Sequence, residues 1–288
     1  MALRDQRILV TGAGSGLGRA LALTFARAGW RVAASDRDEA AARQTLAEVQ
    51  ALGATGLALA LDVTSEESFA GAVRTVEQAW GGLDVLVNNA GVGTSGTVAD
   101  SPLEQWRWVL DINLLGCVRG ARAVIPLMRR QQAGHIVNVA SFAGIANPPG
   151  MASYNVAKAG VVSLSETLRF ELFPHGVGVS VVCPEFFKTN LLATSKALAP
   201  RGTDVSGAAA EKITQRLMEK ATVTADDVAR DIFEAVRDGT FLVIPHAEAR
   251  KRHWLKRFAP EVYFRKAQKA TEKFLAKASG GSNPSASA

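Results

Sequence analysis

Two hydrophobic periods alternate along the chain. Short, nearly continuous apolar runs occur at Arg7–Thr11, Arg31–Ser35, Leu57–Leu61, Asp84–Val87, His135–Val139, Val177–Val182 and Phe241–Ile244. Runs this short, rich in β-branched residues and without polar alternation, predict strands buried on both faces. Between them, apolar residues recur every three or four positions, the spacing of one helix face. This predicts helices from the glycines after Thr11 to Ala28, at Glu39–Leu52, Glu66–Trp80, Pro102–Arg130, Ala152–Pro174 and Ala225–Val236. Gly29, Gly53 and Gly81-Gly82 stand where helices stop. Strand-helix alternation throughout argues for an α/β fold: one doubly wound parallel sheet, with ligands at the carboxyl ends of the strands. No internal repeat and no second domain is visible.

Residues that carry chemistry fall at those strand ends. The first strand runs into Thr11-Gly-Ala-Gly-Ser-Gly-Leu-Gly18 and then a helix. Glycines let backbone approach a pyrophosphate, and the helix start offers free N–H groups. The spacing is Thr-Gly-x-x-x-Gly-x-Gly, with Leu17 where the common dinucleotide fingerprint has glycine. Thr11, Gly12, Ser15, Gly16, Leu17 and Gly18 are therefore candidate cofactor residues. Asp36 ends the second strand, where a carboxylate can accept hydrogen bonds from a ribose diol and repel a 2′-phosphate. Arg37 would instead pair with that phosphate; the balance favours NAD over NADP. Asp62 and Val63 follow the third strand, within reach of an adenine amino group. Asn88-Asn89-Ala90-Gly91 follows the fourth, where small residues let a flat cofactor pass. The fifth strand delivers Ser141. Tyr154 and Lys158 lie four apart on the next helix, hence on one face. A cation about 4 Å from a phenol is expected to lower its pKa from about 10 toward neutrality, suiting a general acid/base.

Composition narrows the setting. Of 288 residues 48% are apolar, enough for a large core, and the net charge is +6. Residues 250–277 hold ten Lys or Arg against two Glu, a net +8, so the remainder carries −2. Residues 1–245 are expected to form one dinucleotide-binding and catalytic domain. Residues 246–277 then form a basic amphipathic helical extension, and 278–288, rich in Gly, Ser and Ala, a disordered tail. Trp254, Leu255, Phe258, Val262, Tyr263, Phe264 and Phe274 interleave with the basic residues. The favoured reading packs this apolar side on the domain; weak contact with an anionic membrane surface is the other. Nucleic-acid binding is not expected, because no recognised motif accompanies the charge. Cys117 and Cys183 sit in apolar segments, and His135, His175, His246 and His253 do not cluster. That pattern excludes a disulfide framework, argues against a metal site and points to a reducing, cytoplasmic setting. No signal segment or membrane-spanning run is visible.

Taken together, residues 5–245 resemble the short-chain dehydrogenase/reductase family, with a Rossmann-like sheet. The match rests on Thr11-Gly12-x-x-x-Gly16-x-Gly18, Asp62, Asn88-Asn89-Ala90-Gly91, Asn113, Ser141 and Tyr154-x-x-x-Lys158, in the family's order. The resemblance implies Tyr154 as acid/base, Ser141 polarising the substrate oxygen, Lys158 on the nicotinamide ribose and Asn113 holding a relay water. Asn89, Ala90, Gly91, Pro184 and Thr189 would complete the nicotinamide side, Thr189 at the carboxamide. One departure stands out: the family has Pro-Gly after the sixth strand, and here Glu185 follows Pro184. Phe142, Ile145, Met151, Glu185, Phe186 and Phe187, with a loop from Leu191 to about Ala225, are expected to line a largely apolar pocket. The implied activity is NAD(P)-dependent oxidoreduction of a secondary alcohol or ketone by a homo-oligomer, dimer or tetramer. A cofactor-binding regulatory or scaffold protein, kept open by Glu185, and an epimerase or dehydratase are the alternatives.

Overall fold

Among the described residues, seven parallel strands form one sheet in the order β3-β2-β1-β4-β5-β6-β7. They are β1 (Arg7–Thr11), β2 (Arg31–Asp36), β3 (Gly56–Ala60), β4 (Val85–Asn88), β5 (Gly134–Val139), β6 (Val177–Val182) and β7 (Leu242–Val243). The computed structural model describes residues 6–187, 195, 199 and 221–278. The helices are α1 (Gly16–Arg27), α2 (Glu39–Ala51), α3 (Glu66–Trp80), α4 (Leu103–Leu110), α5 (Gly116–Gln131), α6 (Ala143–Ala146), α7 (Ala152–Leu172), α8 (Ala225–Asp238), α9 (Ala247–Phe258) and α10 (Pro260–Ala278).

Both sheet faces are apolar because the pleat sends alternate residues to opposite sides and both sides are covered. On one face Ile8, Val10, Val85 and Val87 pack under α1 and α8, through Leu21, Phe25, Val228 and Ile232. Phe25 meets Trp30 and Phe233 edge-on there, with ring centroids 4.9 and 5.1 Å apart. On the other face Leu9, Leu86 and Ile136 pack under α3, α5 and α7, through Val76, Val124, Met128 and Leu168. Chain direction across the sheet reverses at β1, which pairs with both β2 and β4. The crevice at that switch point opens at the carboxyl ends of β1 and β4, where the glycine loop and Asn88–Gly91 emerge.

Two expected helices differ in detail. The long helix expected over 102–130 is two helices joined by a π turn, Asp111–Leu115. Asn113 in that turn gives its side chain to Val92 across the crevice, which competes with a regular ladder. The helix bearing Tyr154 stops at Leu172, and Pro174 lies in a short 3-10 turn, Phe173–His175. The extension is two helices. Of the apolar residues expected to pack on the domain, only Tyr263 is buried among the described side chains, while Trp254, Phe258 and Phe264 are exposed; Ala249 is buried as well. Trp254 and Phe258 stack on the outside, centroids 5.3 Å apart. No helix among the described residues is long and apolar enough to cross a membrane. Of residues 278–288, expected as a disordered tail, Ala278 closes α10 and 279–288 lie outside the described residues.

Candidate active site

The glycine loop is held by side chains that do not themselves point outward. Thr11 Oγ1 accepts the N–H groups of Asn89 and Ala90, each at 3.0 Å, and donates to the Val87 carbonyl at 3.3 Å. Asn89 Nδ2 donates to the Thr11 and Gly12 carbonyls at 2.8 and 3.3 Å. Thr11 and Asn89 thus bolt the loop after β1 to the end of β4, shaping the crevice. A Cβ on Gly18 would lie 2.0 Å from the Gly12 carbonyl oxygen, so only glycine lets α1 start this close to the loop. Gly12 has φ +65°, and a Cβ there would come 2.9 Å from Ala90 Cα. At the start of α1, Ser15 makes no side-chain capping bond and the first turn holds no acid. Backbone N–H groups at the positive end of a helix, with no side chain filling the space, fit the pyrophosphate of a dinucleotide.

Asp36 is aimed at this loop. Its Oδ2 accepts the Gly14 N–H at 2.9 Å and its Oδ1 the Asp38 N–H at 3.0 Å. Arg37 is exposed beside it. Asp62 Oδ1 accepts the Thr64 amide at 2.9 Å and the Thr64 hydroxyl at 2.7 Å. Burial pushes the Asp62 carboxyl up, but the bonds from Thr64 and the charges of Arg37 and Arg119 outweigh it and hold it below its ordinary value. The Val63 carbonyl accepts from Arg119 Nη1 at 3.2 Å.

Asn113, Ser141, Tyr154 and Lys158 converge across the crevice. Tyr154 is 8% exposed and Lys158 4%. The Ser141 hydroxyl accepts the Ala143 N–H at 3.1 Å, reaches toward the Pro184 carbonyl at 3.5 Å, and stands close enough to the Tyr154 phenol to favour its ionised form. Asn113 is fully buried; its Oδ1 accepts the Val92 N–H at 2.8 Å and its Nδ2 donates to the Val92 carbonyl at 2.7 Å. Gly91 sits between these groups: a Cβ there would be 2.9 Å from Asn113 Oδ1 and 3.5 Å from Lys158 Nζ.

The expected electrostatics need correction. Lys158 Nζ lies 5.8 Å from the centre of the Tyr154 ring and donates to the Val139 carbonyl at 2.9 Å. Burial raises the Tyr154 pKa above its ordinary value, only partly opposed by the nearby Ser141 hydroxyl. Burial likewise lowers that of Lys158. The i,i+4 spacing does place both side chains on one face, but the lysine reaches past the phenol to β5. In this state desolvation wins over the field of the cation.

On the substrate side Met151 and Phe186 are half-buried. Phe142 and Phe187 are buried within the packing, Phe187 in the core with α1 and α8 and Phe142 beside Val161 and Cys183. Neither is the open pocket wall expected of it, because each ring is taken up by neighbouring hydrophobic side chains. Pro184 is buried and Glu185 half-buried. Thr189 and the loop with Leu191, Leu192, Leu198, Leu217 and Met218 lie outside the described residues. Among the described residues no group of His, Cys, Asp or Glu could hold a metal ion.

Some supporting residues carried no usable signal in the sequence. Asn88 Nδ2 donates to Asn138 Oδ1 at 2.9 Å, and Asn138 Nδ2 to Ser165 Oγ at 3.0 Å, a buried chain linking β4, β5 and α7 behind the site. An asparagine inside the apolar run 135–139 was the only hint of it. Thr94 and Ser153 share a hydrogen bond at 2.9 Å beside Tyr154. Arg252 and His246, far along the chain, contact Glu185.

The short chain dehydrogenase family matches residues 6–199. A probable oxidoreductase, EphD, of Mycobacterium tuberculosis is 43% identical over 201 residues, 69% of this chain and 34% of that protein. The match thus spans about a third of that relative's length. A dehydrogenase/reductase of CLA biosynthesis from Lactiplantibacillus plantarum is 31% identical, covering 85% of this chain and 89% of that one. Among solved structures, a short chain dehydrogenase/reductase from Burkholderia phymatum in complex with NAD superposes with a TM-score of 0.84. It is 33% identical and covers 91% of this chain and 96% of that one. With the parallel sheet, the glycine loop and the Ser141–Tyr154–Lys158 cluster in place, this chain belongs to the short-chain dehydrogenase/reductase family of oxidoreductases.

Proposed function

We propose that the protein is an NAD-dependent dehydrogenase/reductase acting on a secondary alcohol or ketone with a largely apolar body. The observation that carries this is the meeting of Ser141, at the carboxyl end of β5, with the buried Tyr154 phenol and with Lys158 on the same helix face. Bound nicotinamide would supply or accept the hydride. Tyr154 trades the proton with the substrate oxygen, and Ser141 donates a hydrogen bond to that oxygen as its charge changes. Lys158 holds the ribose in place of its present Val139 contact. Its charge and that of the oxidised cofactor then favour ionisation of a phenol that burial alone keeps protonated. Asn113, pinned by Val92, holds the π turn against the site, where a relay water would sit. Preference for NAD rests on Asp36, whose carboxylate covers the glycine loop and would repel a 2′-phosphate; a similar chain was solved with NAD.

Glu185 favours catalysis over a purely regulatory role, since its charge is matched by Arg252 and not left bare in the site. The deciding experiment follows absorbance at 340 nm across a panel of apolar secondary alcohols and ketones, with NAD and NADP compared. Turnover with NAD, and its loss in Tyr154→Phe while NADH still binds, is the expected result. A Tyr154→Phe variant within tenfold of wild type would contradict the assignment of the acid/base. The homo-oligomer is proposed on the bare Phe170 and Phe173 at the end of α7, 78% and 82% exposed. Sedimentation velocity is expected to give a dimer or tetramer.

A further inference from the structure

Where the family turns with a glycine, this chain carries a carboxylate, and that carboxylate is captured by the C-terminal extension. Arg252 of α9 donates from Nη2 to Glu185 Oε1. The same guanidinium lies 5.0 Å from the centre of the Phe142 ring, over the residue that follows Ser141. The Glu185 N–H donates to His246 Nδ1 at 3.2 Å, just before α9 begins. The two segments held this way already touch, since the Phe142 N–H donates to the Pro184 carbonyl at 2.8 Å. Further on, Lys256 Nζ donates to the Ile145 carbonyl and the Tyr263 hydroxyl to the Ala146 carbonyl, the latter at 3.0 Å. Both carbonyls are in the last turn of α6, the helix that Ser141 leads into.

We propose that Arg252 is a positioning residue of the active site: it clamps the segment after β5 to the segment after β6, and so sets where the Ser141 hydroxyl stands. Glu185 and Arg252 then form a matched pair, the carboxylate in place of glycine being tolerated because the extension neutralises it. The side chains of Arg252 and Glu185 are 45% and 22% exposed, so the pair adds little to global stability. Its effect is local geometry, and small misplacements near reacting atoms are costly in rate.

The test uses the full chain and three variants: Arg252→Ala, Arg252→Glu, and the charge swap Glu185→Arg/Arg252→Glu. Amide hydrogen exchange is followed over residues 142–147 and 184–187, with β1 and α8 as controls, and NADH binding by fluorescence. In both single variants exchange over those two segments is expected to rise about fivefold or more while the controls hold. NADH affinity stays within about twofold, and the swap restores slow exchange. With the ketone found by the panel, kcat falls about tenfold in the single variants at little-changed KM, and recovers in the swap. The catalytic arm rests on the proposed oxidoreductase reading; the exchange arm does not, so failure of that reading leaves the clamp decidable. Unchanged exchange in both single variants, or a uniform rise that includes the controls, overturns the proposal.

Discussion

Single residues show how burial decides chemistry here. His135 on β5 is 8% exposed, with Nε2 2.8 Å from Ser180 Oγ, and burial lowers its pKa to about 4. In the unfolded chain the value is about 6.5. As pH falls below that value the unfolded state takes up the proton first. The contribution is therefore complete above about pH 6.5 and is lost by about pH 4, amounting to about 3 kcal/mol. Urea midpoints at pH 7.5, 5.5 and 4.5 are expected to fall more steeply for wild type than for His135→Gln. Burial also pushes the thiols of Cys117 and Cys183 up to about 11 and about 12, so iodoacetamide at pH 8 is expected to spare both until the protein unfolds. Ser141 and Tyr154 were readable in the sequence because one follows a strand and the other opens a helix; Asn113, inside a helical stretch, was readable only from its place in the family's motif order. The field at Tyr154 was not: spacing fixes the helix face, but only the path of the Lys158 side chain shows its ammonium on the Val139 carbonyl.

At the level of elements, the close seating of α1 on the glycine loop is the feature most exposed to change. Adding a methyl at Gly18 puts a Cβ 2.0 Å from the Gly12 oxygen, a backbone atom that cannot step aside without moving the loop. Gly18→Ala is expected to weaken NADH binding about 100-fold by fluorescence titration, and to cost about 1–3 kcal/mol in urea unfolding. Strands and most helices were legible because apolar residues repeat with a fixed period wherever a face is buried. The π turn was not, since its cause is a contact between Asn113 and Val92, twenty-one positions apart. Sequence spacing along one helix carries no trace of such a partner. The break in the extension is a local matter, since Pro260 opens its second helix, but its docking escaped for a similar reason: Arg252, Lys256 and Tyr263 find their acceptors in segments more than sixty residues earlier.

Across the whole molecule, a strongly basic extension lies on a body of slight negative charge, yet the contacts that fasten it are not all ionic. Tyr263 is 7% exposed and bonds the Ala146 carbonyl. Tyr263→Ala is expected to lower stability by about 3 kcal/mol, and Tyr263→Phe by about 1, measured by urea unfolding at both low and high salt with little difference between the two. The π turn has a consequence at the same scale. One extra residue in a turn rotates the remainder of the helix by about 100°. The rod from Leu103 to Gln131 can therefore lay α4 on α7 and α5 on α3, serving two neighbours with one length of chain. Removing a single codon between Asp111 and Leu115 would straighten the rod and swing every later side chain to the wrong partner. A one-residue deletion there is thus a change of architecture, while the same deletion in a surface loop would be a change of length.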